Sequence, residues 1–166
     1  YDPAHDHHSR QRLALMGELP GAIERGEMRL HVQPKASLAG REVVGVECLV
    51  RWVHPVLGII APDRFIPLAE EIGLIRELGA GILESACLRT AEISAMVGEP
   101  MYVAVNVAVD QLQPEFVTTV AEVLARTGLP AQQLSLEVTE STLADRSSSI
   151  ATVLRDLRLL GTTVSL

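Results

Sequence analysis

The sequence predicts an α/β protein built on a mostly parallel sheet. Short strand-like segments alternate with longer segments of helical periodicity from Arg29 onward. Three of those strands divide into one apolar and one polar face. Of the 166 residues, 48% are apolar and 21% charged, the composition of a chain that forms a core. At this length a single domain is expected.

Residues 1–9 hold Asp2, Pro3, Asp6 and three histidines and lack apolar periodicity, so they read as a connector. The spacing of His5, His7 and His8 matches no defined metal site, and a solvated linker is expected there. Ser9 can cap a helix reaching about Gly26, with Leu13, Met16, Leu19 and Ile23 on one face. Pro20 is expected to bend or split it. Strands are expected near 29–36, 42–52, 101–108, 133–139 and 162–166, and helices near 64–78, 79–97, 114–127 and 147–160.

In the second strand, Gly45, Glu47, Leu49 and Arg51 share one face, and Val44, Val46, Cys48, Val50 and Trp52 share the other. In the third, Val103, Val105 and Val107 oppose Ala104, Asn106 and Ala108. In the fourth, Leu134, Leu136 and Val138 oppose Ser135, Glu137 and Thr139. A parallel sheet covered on both sides is ordinarily apolar on both faces, so a repeated polar face implies polar company, as in the interior of a barrel. Burying an unpaired carboxylate costs several kcal/mol, on the order of the penalty for charge burial in proteins. Glu47 and Glu137 are directed into the same space, and a cation is the natural compensation. Two glutamates and an asparagine carbonyl suit a hard ion such as Mg²⁺ or Mn²⁺.

Spacing leaves a second reading open, in which Glu47 pairs with Arg51 or a nearby lysine, Asn106 satisfies loop backbone and Glu137 caps a helix. The polar residues lie near the C-terminal ends of their strands, where barrel active sites form. On the first strand, Gln33 and Lys35 share a face with His31, and Gln33 could hydrogen-bond a base edge or a ribose.

A net charge of −7 argues against a non-specific nucleic-acid binder. A small anionic ligand would need local cations to offset that field. Cys48 and Cys87 lie in apolar stretches and read as reduced core residues. No apolar run approaches the roughly 20 residues of a membrane helix, and the N-terminus has no secretory pattern, so a cytoplasmic location without membrane contact is expected. The chain begins on Tyr1 and ends on Leu166 within a strand-like run, and both ends are expected to be cuts in a longer protein.

The segments Gln33-Pro34-Lys35, Glu47-Cys48-Leu49-Val50-Arg51-Trp52, Val105-Asn106-Val107-Ala108 and Glu137-Val138-Thr139-Glu140 occur in the order and spacing of the EAL family. Residues 62–70 resemble the family's loop and helix between its second and third strands. The resemblance covers about residues 29–166 and implies the first five or so strands of a modified TIM barrel. It implies a phosphodiesterase that hydrolyses cyclic di-GMP to linear pGpG. Glu47, Asn106 and Glu137 would be ligands of a divalent cation, Glu140 would support the loop after the fifth strand, Arg51 would meet a ligand phosphate, and Gln33 and Leu49 would line the nucleotide pocket. Residues 1–28 would be a connector and helix of the kind that follows a GGDEF domain in tandem proteins. A homodimer through the EAL domain is the expected assembly.

This sequence departs from the family pattern at three places. Cys48 replaces the signature alanine, and Val32 stands where an aromatic residue is usual. An Asp-Asp pair would follow Leu166 in the family, so residues 1–166 alone are expected to be inactive. A sensor that binds cyclic di-GMP without turnover, or a dimerisation module, is the alternative.

Overall fold

The computed structural model describes residues 3–40, 42–138 and 148–165. Its elements run α1 (Pro3–Glu24), β1 (Met28–Ala36), β2 (Val43–His54), β3 (Gly58–Ile60), α2 (Pro62–Glu71), α3 (Ile75–Val97), β4 (Tyr102–Val107), α4 (Pro114–Thr127), β5 (Leu134–Val138), α5 (Ser148–Leu159) and β6 (Thr163–Ser165). The strands form one sheet in the order β1-β2-β4-β5-β6, with β3 paired to β2. The β2–β4, β4–β5 and β5–β6 pairs are parallel, as the strand–helix alternation implies.

Three features differ from the sequence expectation. Helix α1 begins at Pro3 rather than Ser9 and continues through Pro20 without splitting. A proline fits the opening of a helix because its missing N–H has no intrahelical partner there. Short β3 returns antiparallel on β2, with Trp52, Val53 and His54 opposite Ile60, Ile59 and Gly58. The boundary between the second and third helices falls at residues 72–74, not at 78/79. Gly73 adopts φ 75° there, a left-handed conformation that costs glycine little. Its N–H donates to the Glu70 carbonyl at 3.1 Å, and that of Leu74 to the Ala69 carbonyl at 2.8 Å. These two bonds close a Schellman cap, which ends α2.

The chain forms two compact units. One comprises residues 1–29 and 50–78. Its core includes Leu15, Leu19 and Ala22 of α1, Phe65 and Leu68 of α2, and Trp52 and Ile60 of the hairpin. The Trp52 ring meets Phe65 edge-on at a centroid distance of 6.0 Å. Its indole N–H donates to Glu27 Oε2 at 2.9 Å, and Arg25 Nε donates to Glu27 Oε1 at 2.7 Å. Buried His54 accepts the backbone N–H groups of Val56 and Leu57 at Nδ1, each at 3.1 Å. The ring proton is thereby left on Nε2, which donates to Glu18 Oε2 of α1 at 2.6 Å. The hairpin turn and helix α1 are thus held by one imidazole.

The second unit comprises residues 30–49 and 79–166. Leu83, Ala86 and Cys87 of α3, Phe116, Val120 and Val123 of α4, and Ile150, Val153 and Leu157 of α5 pack on the apolar sheet face. That face is formed by Val46, Cys48, Val103, Val105, Val107, Leu134, Leu136 and Val138, the residues that the period-two alternation assigns to it. Both cysteines are free and buried, and burial raises their thiol pKa values, to about 11 for Cys48 and about 12 for Cys87. They are packing residues, as the sequence implies. Among the described residues, no helix is long and apolar enough to cross a membrane.

The bonds from Arg25 and then Trp52 hold the Glu27 carboxyl below its ordinary value of 4.5. As pH falls through that value, the unfolded chain takes up the proton before the folded one, so stability falls with it. Glu27→Gln is expected to flatten the thermal midpoint against pH below about pH 5, measured by far-UV circular dichroism. An unchanged slope would show that the Glu27 carboxylate contributes nothing.

Candidate active site

The opposite face of the second unit's sheet carries a cluster of charged and amide groups. The parallel register sets Asn106 of β4 beside Glu137 of β5, and Glu47 of β2 beside Ala104, two residues earlier on β4. Side chains two residues apart on a strand share a face, so all three functional groups project from the same side. Asn106 Nδ2 donates to Glu47 Oε1 at 3.1 Å, and among the described residues its carbonyl oxygen takes no hydrogen bond.

Lys35 completes the cluster. Its Nζ donates to Glu137 Oε1 at 2.5 Å and lies 3.8 Å from Glu47 Oε2. The side chains of Lys35, Glu47 and Glu137 are 28%, 23% and 28% exposed, so water screens their charges only in part. Desolvation lowers the Lys35 pKa. The Glu137 hydrogen bond and the charges of Glu137 and Glu47 outweigh it and hold the pKa above 10.5. Lys35 is therefore an ammonium at neutral pH, flanked by two carboxylates.

Tyr102 reaches this face through a local vacancy. It lies opposite Gly45 in the β2–β4 register, and a Cβ built on Gly45 would sit 2.5 Å from the Tyr102 ring. Glycine is required for the ring to lie across β2.

The structure brings together Glu47, Asn106 and Glu137, as the alternation implies. It also realises part of the ion-pair reading, because a lysine reaches both glutamates. Leu49 is half-buried two residues after Glu47, and Gln33 is exposed two residues before Lys35. Arg51 belongs to the other compact unit, where it is half-buried and donates from Nη1 to the Val50 carbonyl at 2.8 Å. Glu140 lies outside the described residues. Sequence reasoning placed Lys35 on the face of Gln33 but did not join it to the glutamates. The available signal was its period-two position on β1.

The oxygen-only donors and the ammonium already drawn between them fit a hard divalent cation. Among the described residues, no group of three or more His, Cys, Asp or Glu is placed to hold a metal. The third oxygen donor in the cluster is the Asn106 amide.

Sheet and cluster together define the class: a TIM-barrel-like α/β domain with a carboxylate–amide site on its polar sheet face. The chain belongs to the EAL domain family, whose profile matches residues 16–166. It is 36% identical over 160 residues to the bifunctional diguanylate cyclase/cyclic di-GMP phosphodiesterase MucR of Pseudomonas aeruginosa, covering 95% of this chain and 23% of MucR. It is 38% identical over 157 residues to the cyclic di-GMP phosphodiesterase NbdA of the same organism, covering 94% of this chain and 20% of NbdA. A solved c-di-GMP complex of the PaMucR phosphodiesterase superposes with a TM-score of 0.84 at 36% identity, covering 92% of this chain and 62% of that one. The chain thus spans about a fifth of the length of the two curated relatives.

Gly45→Ala is expected to destabilise the protein by about 1–3 kcal/mol, the usual cost of overpacking, because the Tyr102 ring must move. In a Tyr102→Ala background the same change should cost much less. A double-mutant cycle by urea denaturation measures the difference, and additive effects would show that the ring does not depend on Gly45.

Proposed function

We propose that the protein is a cyclic di-GMP phosphodiesterase that adds water across one phosphodiester and releases linear pGpG. The observation that carries this reading is the convergence of Glu47, Glu137 and Asn106 on one polar sheet face in an EAL domain. Its relatives' names and the c-di-GMP complex of a structural neighbour support the same ligand.

In this reading Glu47, Asn106 and Glu137 hold a divalent cation, Mg²⁺ or Mn²⁺. When bound, such an ion lowers the pKa of a coordinated water and polarises a phosphoryl oxygen. The carboxylates supply the negative charge that holds it, and the Asn106 amide orients Glu47 through its 3.1 Å bond. Arg51 supplies a planar guanidinium for a ligand phosphate, a geometry suited to paired hydrogen bonds with its oxygens. Gln33 offers an amide for a base edge or ribose, and Leu49 an apolar wall. Glu140 supports the loop that follows β5. We further propose that residues 29–166 form the EAL portion, that residues 1–28 link it to a preceding domain, and that the protein acts in the cytoplasm as a homodimer.

The purified full-length protein with Mg²⁺ or Mn²⁺ should convert cyclic di-GMP to pGpG, resolved by reverse-phase chromatography. Glu47→Ala should lower kcat/KM by about 100-fold or more, beyond the roughly 10–100-fold typical of losing an outer-shell partner. Asn106→Ala should fall in the same direction. Ligand binding without pGpG in the wild type would instead support a non-catalytic sensor.

A further inference from the structure

We propose that Lys35 is the internal counter-cation of this site: it holds Glu47 and Glu137 together in the metal-free protein, and a divalent ion must displace it. The proposal rests on the metal reading given above and assigns Lys35 a positioning role within it.

The geometry carries the argument. The Lys35 ammonium is 2.5 Å from one glutamate and 3.8 Å from the other, although β1 and β5 are separated in the sheet by β2 and β4. It occupies the space between two acidic oxygens where an oxygen-ligated cation would gain most. Among the described residues, both glutamates have ion pairs only with Lys35. Without it, two partly desolvated carboxylates would face each other, and among the described residues the Asn106 N–H is the one side-chain donor left to them. A divalent ion and an ammonium cannot both satisfy the same oxygens, so binding of one weakens binding of the other.

Lysine suits an exchangeable role. Its charge sits on a flexible four-carbon stem and behaves as a point charge, whereas arginine holds a carboxylate in a rigid fork. Lys35 is also half-buried rather than enclosed among the described residues, which leaves its stem room to move. Competition then sets the apparent metal affinity. An ammonium that occupies the site about nine-tenths of the time weakens the apparent affinity about tenfold, by the fraction of competent protein.

The test uses the full-length protein, Mn²⁺ as the probe and electron paramagnetic resonance of the free ion as the readout. Lys35→Met should tighten Mn²⁺ binding by about tenfold and lower the metal-free thermal midpoint by several degrees, on the order expected for loss of a paired charge. Saturating Mn²⁺ should recover more of that midpoint in Lys35→Met than it adds to the wild type. Lys35→Arg keeps the charge and should leave the metal-free midpoint near wild type without tightening Mn²⁺ binding. Equal or weaker Mn²⁺ binding by Lys35→Met would overturn the displacement, and an unchanged metal-free midpoint would overturn the counter-cation role. Absence of Mn²⁺ binding in both wild type and Lys35→Met would overturn the metal centre itself. Binding of equal strength in both would overturn only the role assigned to Lys35.

Discussion

Two carboxylates on one face of a sheet must be neutralised locally, and that constraint organises the second unit of this protein. Two unit charges about 5 Å apart at an effective dielectric near 20 interact by roughly 3 kcal/mol, comparable to a large share of a domain's net stability. Glu47 and Glu137 are each only about a quarter exposed, so solvent alone does not remove that repulsion. The intervening strand β4 presents Asn106 on the same face, and its amide donates to Glu47. Lys35 supplies the charge. The opposite face carries no such demand and is left to valine and leucine, which is why helices α3, α4 and α5 can pack there without polar partners.

The same constraint bears on how an acidic protein would serve the anionic ligand proposed above. A net charge of −7 repels a phosphodiester at long range. Within a Debye length of about 10 Å at ordinary ionic strength, the sign is set by the nearest groups instead. In the cluster those are one ammonium and two carboxylates, a net negative arrangement until a further positive charge arrives. A divalent cation would make the site attractive to phosphate, so cation binding and ligand binding favour each other through simple Coulomb terms.

The sheet faces were legible in the sequence because side-chain direction in a strand has a period of two and tolerates no slip. Val46, Cys48, Val103, Val105, Leu134 and Leu136 are buried where the alternation puts them, and Glu47, Asn106 and Glu137 fall together on the other side. The helix boundaries were less legible. A helix can end wherever a left-handed residue and two carbonyl acceptors coincide, and local spacing did not distinguish Gly73 from the later glycines of α3. Three-residue β3 carries too short a pattern to show any period. The Lys35 contact was hidden for another reason, since it joins residues 102 positions apart and depends on the lateral order of strands.

An internal ammonium also changes what metal binding would mean for this domain. In a structural zinc site the ion supplies folding energy, and the protein unfolds without it. Here Lys35 already offsets part of the charge of Glu47 and Glu137, and the other sheet face is packed by apolar side chains. In the reading proposed above, folding would be separated from metal binding: the sheet and its helices form on apolar burial, with Lys35 offsetting part of the charge on the polar face. The cost would fall on affinity, because an entering ion would have to compete with a group tethered at high local concentration. A site of that kind would respond to the free concentration of divalent cation while its scaffold stays intact, a property that would follow from the placement of one lysine.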